Sequence, residues 1–201
     1  MVDSAYGPLS PFAAMPASAG TGEGVVAGER EGLGIARITA RNRQLAALEQ
    51  LVHKRLHLAL PAGPRRMRSG DLAAAGVGPE CWLMTCESAG NAFAAGLRDS
   101  IGGHAAVVDL SDAYVMLRLA GARVREALAK LVPVDLHERS FQVDDVAQTV
   151  AEHMAVTLWR LEDTGRGEAA FELSVGRSFA QSLYRAVHDS AAEFGFVFET
   201  R

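Results

Sequence analysis

Helical stripes alternate with closely spaced strand-like runs along this chain, and that order constrains the fold more than any single motif. In residues 42–58, Leu45, Leu48, Leu51, Val52 and Leu56 recur at steps of three and four. They therefore share one helical face, while Arg43, Glu49, Lys54 and Arg55 stand on the other. Pro61, Gly63 and Pro64 end this helix, and the punctuation makes residues 65–75 read as a linker. A second helix is expected from Ser88, as N-cap, to about Ile101, with Gly102 and Gly103 as its stop. A third opens at Gly121 with Val124, Ala127, Leu128 and Leu131 on one face, and Pro133 stops it. The last carries Phe179, Leu183, Val187, Ala191 and Phe194 in one stripe, after a Ser178/Gln181 capping-box pair.

Strand character appears at residues 33–39, 81–86, 105–110, 113–119, 146–152, 155–161 and 170–175. Several neighbouring runs are too close in sequence for a crossover helix to lie between them. They form antiparallel hairpins, so the pattern predicts an α+β fold rather than a doubly wound parallel sheet. The expected architecture is two ferredoxin-like lobes with mixed or antiparallel sheets, over residues 33–103 and 104–201. Residues 1–32 are rich in Ala, Gly, Ser and Pro and read as an extended N-terminal arm. Within it Tyr6, Leu9, Phe12 and Met15 recur every three residues among prolines, a spacing that aligns them on one face of a polyproline II segment.

Composition excludes several classes of function. With 49% hydrophobic and 22% charged residues the chain has the means to bury a core. A net charge of -4 supplies no positive field for nucleic acid or an anionic membrane. The apolar runs at 105–110 and 115–120 fall far short of the roughly 20 residues that cross a bilayer. With no basic, apolar and cleavable leader pattern at the start, the expected location is cytoplasmic, and Cys81 and Cys86 read as buried thiols in a reducing compartment.

Motifs for catalysis are weak. Gly20 to Gly24 and Gly32-Leu33-Gly34 lack the strand, glycine spacing and helix of a dinucleotide site, and no Walker lysine follows either. Glu49, His53 and His57 stand one helical turn apart, a spacing that would present three metal ligands, but a polar helix face explains them as well. Ser69, Ser111 and Ser178 sit in no nucleophile elbow. Asp112, Asp144 and Asp145 read as solvated turn carboxylates. Arg65, Arg66 and Arg68 form a basic run suited to a solvated loop, an anionic group or a partner contact. No catalytic, cofactor-binding or metal-ligating residue is assigned to this chain.

The runs Val108-Asp109-Leu110-Ser111-Asp112, Val132-Pro133-Val134-Asp135-Leu136, Val146-Ala147-Gln148-Thr149 and Phe171 through Ala180, with the Gly121-Ala122 helix start, resemble the sarcosine oxidase gamma subunit family. The resemblance is dense over residues 103–195 and thinner over 33–64. The order of elements is also similar to part of the folate-binding aminomethyltransferase domain. In that domain an acidic residue after a glycine pair assists catalysis, and residues 152–160 lack both features.

The resemblance implies a non-catalytic gamma subunit of a four-subunit enzyme that oxidises sarcosine with oxygen to glycine and hydrogen peroxide, and to methylenetetrahydrofolate when tetrahydrofolate is present. It places FAD, FMN, NAD and tetrahydrofolate on the other subunits and makes the alpha, beta and delta subunits the partners. The N-terminal arm is then expected to dock in extended form on a partner subunit. Two alternatives stay open: a stand-alone aminomethyltransferase-like folate binder, and the equivalent subunit of an N-methyl amino-acid dehydrogenase.

Overall fold

Two copies of one strand-and-helix order follow each other along the chain. The computed structural model describes residues 10–13, 15 and 24–199. After β1 (Val25–Glu29), the first unit runs β2 (Gly34–Ala40), α1 (Leu45–Leu56), β3 (Arg66–Ser69), β4 (Leu72–Gly78), β5 (Cys81–Cys86), α2 (Phe93–Ile101) and β6 (Ala105–Asp109). The second repeats that order as β7 (Tyr114–Ala120), α3 (Val124–Ala129), β8 (Val146–Ala151), β9 (Met154–Leu161), β10 (Ala170–Gly176), α4 (Ala180–Ala191) and β11 (Phe196–Glu199).

The first sheet is ordered β3-β4-β5-β2-β6, and the second β8-β9-β10-β7-β1-β11. The orders correspond strand for strand, except that β1 is interposed between β7 and β11. In the first sheet every pairing is antiparallel, and β4-β5-β2-β6 has the split βαβ arrangement of a ferredoxin-like unit. In the second, β1 runs antiparallel to β7 and parallel to β11. The α+β expectation with hairpin-paired strands is met.

Local sequence explains most elements and corrects some expectations. Helix α1 ends where His57 takes a left-handed conformation (φ 52°), and His53, Lys54 and Arg55 in its last turn suit the negative end of the helix dipole. Residues 65–75 are no linker; most of them build the β3–β4 hairpin, which turns at Gly70 (φ 55°). Leu72-Ala73-Ala74-Ala75 shows no alternation because Ala73, Ala74 and Ala75 are buried in a strand covered on both faces. Neither expected serine cap forms. Helix α2 begins at Phe93 after a single 3-10 turn, and Ser88 Oγ instead lies 3.7 Å from Cys86 Sγ. A 3-10 turn at Arg177–Phe179 likewise absorbs Ser178 before α4 begins. Gly34 is required by packing, since a Cβ there would sit 2.7 Å from the Gly90 carbonyl oxygen where α2 approaches β2.

The layers stack as helices, sheet, sheet, helices. Helices α1 and α2 cover one face of the first sheet through Ile38, Leu48, Val52, Met84, Phe93 and Leu97. Helices α3 and α4 cover the second through Leu117, Leu128, Phe171, Leu173, Leu183 and Val187. The two inner sheet faces meet in a third apolar layer that includes Ile35, Ala75, Leu83, Met116, Trp159 and Leu161. The corresponding edges β3 and β8 also join, through Arg66 N–H to Asp144 O (2.7 Å) and Val146 N–H to Pro64 O (2.9 Å).

Within the stretch read as an arm, residues 1–32, β1 is an interior strand of the second sheet. Phe12 is 1% exposed, in a turn closed by Met15 N–H on the Phe12 carbonyl (2.8 Å), and its ring lies 5.6 Å from that of Phe198. This part of the arm packs on its own core in a turn rather than along an extended polyproline face. Tyr6 and Leu9 lie outside the described residues.

Candidate functional site

Strand alternation on β10 puts Phe171, Leu173 and Val175 into the helix-covered core and turns Glu172 and Ser174 towards the other sheet. Glu172 is 3% exposed. Its Oε1 accepts from Arg30 (2.6 Å) and from Arg118 Nε and Nη2 (3.1 and 2.7 Å), and its Oε2 accepts from Trp159 Nε1 (2.9 Å). A carboxylate taken out of water needs such partners. Arg30 also reaches Glu87 at 2.9 Å, so the residues that follow β1 and β5 are tied with β7, β9 and β10 into one charged network. The Arg30 hydrogen bond, with Arg118 and Arg68 acting at longer range, holds the Glu87 carboxyl below its ordinary range.

This network forms one end of an open groove of about 930 Å³ on the inner face of the second sheet, where the narrower first sheet does not cover it. Val26, Gly28 and Ala120 lie along the floor, Arg66 and Arg68 of β3 stand on one side, and Glu162, Thr164 and Glu168 stand on the connection between β9 and β10. Asp163 there is paired with Arg160, which also donates to the Ala170 carbonyl at 2.8 Å. Every oxygen of Glu172 is engaged by protein donors, so this carboxylate organises the arginines rather than standing ready as a base.

The sequence candidates are scattered. Glu49, His53 and His57 are exposed, and His57 leaves the helical face at the α1 C-cap. Among the described residues no three metal-ligating side chains cluster. Cys81 and Cys86 are free thiols on opposite faces of β5, with Cys81 only partly buried. Ser111 is a turn residue, accepting from Ile35 N–H (3.0 Å) and donating to Asp109 (2.8 Å). Asp112 and Ser178 are exposed, and Ser69 ends β3.

The structure does bring together two groups treated separately in the sequence. Asp145 pairs with Arg65, and Asp144 pairs with Arg66 at 3.4 Å. These aspartates are not merely solvated turn carboxylates; they clasp the two sheets. Sequence reading passed over Glu172, Arg30, Arg118 and Trp159. The available signal was the Phe-Glu-Leu-Ser-Val alternation, whose polar face looks like a solvent face until a second sheet lies against it.

Among the described residues no helix is long and apolar enough to cross a membrane. No curated protein sequence matches the chain. Among solved structures, 93% of the chain aligns with 96% of a chain of the heterotetrameric sarcosine oxidase from Corynebacterium sp. U-96, solved in complex with pyrrole 2-carboxylate, at 25% identity and a TM-score of 0.78. It is also similar to the glycine cleavage system aminomethyltransferase T from Bartonella henselae, at 16% identity and a TM-score of 0.60. That match covers 87% of this chain but 47% of the transferase, so the two share a fold over about half of the larger protein. A family model for the sarcosine oxidase gamma subunit, SoxG, matches residues 41–193, and the chain belongs to that family.

Proposed function

We propose that this chain is the structural gamma subunit of a cytoplasmic heterotetrameric sarcosine oxidase and contributes no catalytic residue to it. The observation that carries this reading is the alignment of nearly the whole chain with nearly the whole of one chain from a heterotetrameric sarcosine oxidase. In this reading the complex demethylates sarcosine with oxygen to glycine and hydrogen peroxide, passing the one-carbon unit to tetrahydrofolate when it is present. FAD, FMN, NAD and folate sit on the alpha, beta and delta subunits, and the gamma chain supplies contact area that holds them in register. Obligate interfaces of this kind commonly bury more than about 2,000 Å². The engaged oxygens of Glu172 and the scattered serines and histidines support a non-catalytic role.

The test is co-expression of the four subunits with and without this chain. Purified alone, it is expected to be colourless and inactive; with its partners it restores a 1:1:1:1 assembly and sarcosine-dependent peroxide formation. Stoichiometric flavin on the isolated chain, or full turnover by an assembly that lacks it, would overturn the reading. Asn at Asp112, Asp144 or Asp145 should leave turnover of the intact assembly within a few-fold, against the roughly 100-fold loss that follows removal of a general acid or base.

A further inference from the structure

The groove's arginine end carries more positive than negative charge. Four guanidinium groups, those of Arg30, Arg66, Arg68 and Arg118, face three carboxylates, those of Glu87, Glu172 and Asp144. Arg66 is 7% exposed, yet its ion pair with Asp144 is long, at 3.4 Å. Arg68 stands two residues further on the same face of β3, as their pairing with Ala75 and Ala73 requires. Among the described residues the Arg68 side chain makes no hydrogen bond or ion pair. Arg118 spends Nε and Nη2 on Glu172, while its side chain remains 45% exposed at the groove.

Burial holds the Arg66 guanidinium below its ordinary value, and Arg68 adds to this by repulsion, with Glu172 and Asp144 opposing. Two like charges side by side, one of them desolvated, gain most from an oxyanion placed between them. A guanidinium fork matches a carboxylate or phosphate in both geometry and charge.

We propose that the groove is a binding site for an organic anion whose carboxylate or phosphate sits against Arg66, Arg68 and the outer edge of Arg118. The far side selects the rest of the ligand. Glu162, Asp163 and Glu168 outnumber Arg166 on the β9–β10 connection, and Glu31 and Glu199 line the groove beside β1 and β11, so the body of the ligand is neutral or cationic and its negative charge is confined to one end. A volume of about 930 Å³ exceeds the needs of a bare inorganic ion and suits a molecule of cofactor or metabolite size. This site goes beyond the structural role proposed above and does not depend on it. The anionic group has two possible sources, a free small molecule or an acidic side chain inserted by a partner subunit.

The experiment titrates the 15N-labelled full-length chain at low salt with hippurate, a monocarboxylate with a neutral planar body. The Nε–Hε resonances of Arg66, Arg68 and Arg118, identified by single Arg→Lys changes, are followed, with benzamide as the uncharged control. Saturable shifts at these three resonances are expected with hippurate and not with benzamide. R68E should weaken binding about tenfold or more, the equivalent of one lost charge-assisted contact. Because Arg68 is exposed, R68E and R68A should both keep the unliganded fold, and R68A serves if the charge reversal disturbs it.

The same titration on the assembled complex separates the sources. Unchanged hippurate affinity identifies a free ligand; loss of hippurate binding, together with weaker assembly of R68E, identifies a partner's carboxylate. Absence of saturable shifts in the isolated chain, or equal affinity in wild type and R68E, overturns the site.

Discussion

The two lobes solve the same packing problem with different residues at the same place. The third strand in the order of each sheet is β5 in the first lobe and β10 in the second, and each turns a residue from its middle towards the partner sheet. In β5 that residue is Leu83, at 6% exposure; in β10 it is Glu172, at 3%. The contrast follows from sheet width. With β1 interposed, the second sheet has six strands against five among the described residues, and its inner face lines an open groove beside the first. Where the sheets overlap, an apolar layer suffices. At the margin, where a groove admits water, a carboxylate can be kept if arginines and an indole N–H surround it. Equal burial therefore does not mean equal chemistry, and the extra strand decides which kind of face each lobe presents.

The largest test of the comparison is the helix-side core. Phe171→Ala should destabilise the chain by about 3–5 kcal/mol, as expected for truncating a fully buried aromatic ring. Trp82 lies in the first lobe's core and Trp159 in the layer between sheets, so W82F and W159F backgrounds let fluorescence follow each region during urea unfolding. Coincident midpoints are expected because the lobes share the inner layer. Separate midpoints would break the picture of one cooperative unit.

Next in size is Glu172→Ala, which strands Arg30 and Arg118 without their buried partner and should cost about 3 kcal/mol. Leu83→Ala at the matching position should cost about 2 kcal/mol and create only a cavity. Raising salt should shrink the gap between these two variants, since only one acts through charge; a salt-independent gap would argue against the contrast. Phe12→Ala should cost about 2 kcal/mol by uncovering Phe198, and a variant as stable as wild type would return the N-terminal turn to the status of a loose arm.

Asp144→Asn tests the clasp between β3 and β8. Asp144 holds a left-handed conformation (φ 66°) that Asn also tolerates, so the change isolates the carboxylate charge and should cost about 1 kcal/mol. The smallest effect is a pH dependence confined to the second lobe. Burial raises the Glu29 carboxyl above its ordinary value, with the Ser10 hydrogen bond opposing the rise and Glu31 adding to it. The folded state then binds this proton more tightly than the unfolded chain does. Its contribution is present below the ordinary carboxylate range and is lost as pH rises through the folded value. Glu29→Gln should therefore gain stability relative to wild type as pH rises from about 4.5, measured by urea midpoints. An unchanged difference across that range would remove Glu29 from the account.

Amphipathic stripes and hairpin spacing were enough to read α1, the antiparallel pairings of β8, β9 and β10, and the ferredoxin-like lobes, because both signals are periodic and local. The β3–β4 hairpin was hidden by an alanine run buried on both faces, and β1 by the glycine-rich composition around it. The candidate groove was nearly illegible. Arg30, Arg118, Trp159 and Glu172 lie far apart in sequence, and each alone is an ordinary strand residue.

By itself, then, the sequence determined most of the element types, the family resemblance and the lack of a recognisable catalytic motif in its local patterns, since these depend on neighbours along the chain. Only the tertiary structure decided that the polar face of β10 is interior, that Asp144 and Asp145 answer Arg66 and Arg65, and that Phe12 is core. Those facts depend on which faces lie opposite each other, and that is set by contacts between segments roughly 80 to 190 positions apart, which no local period encodes.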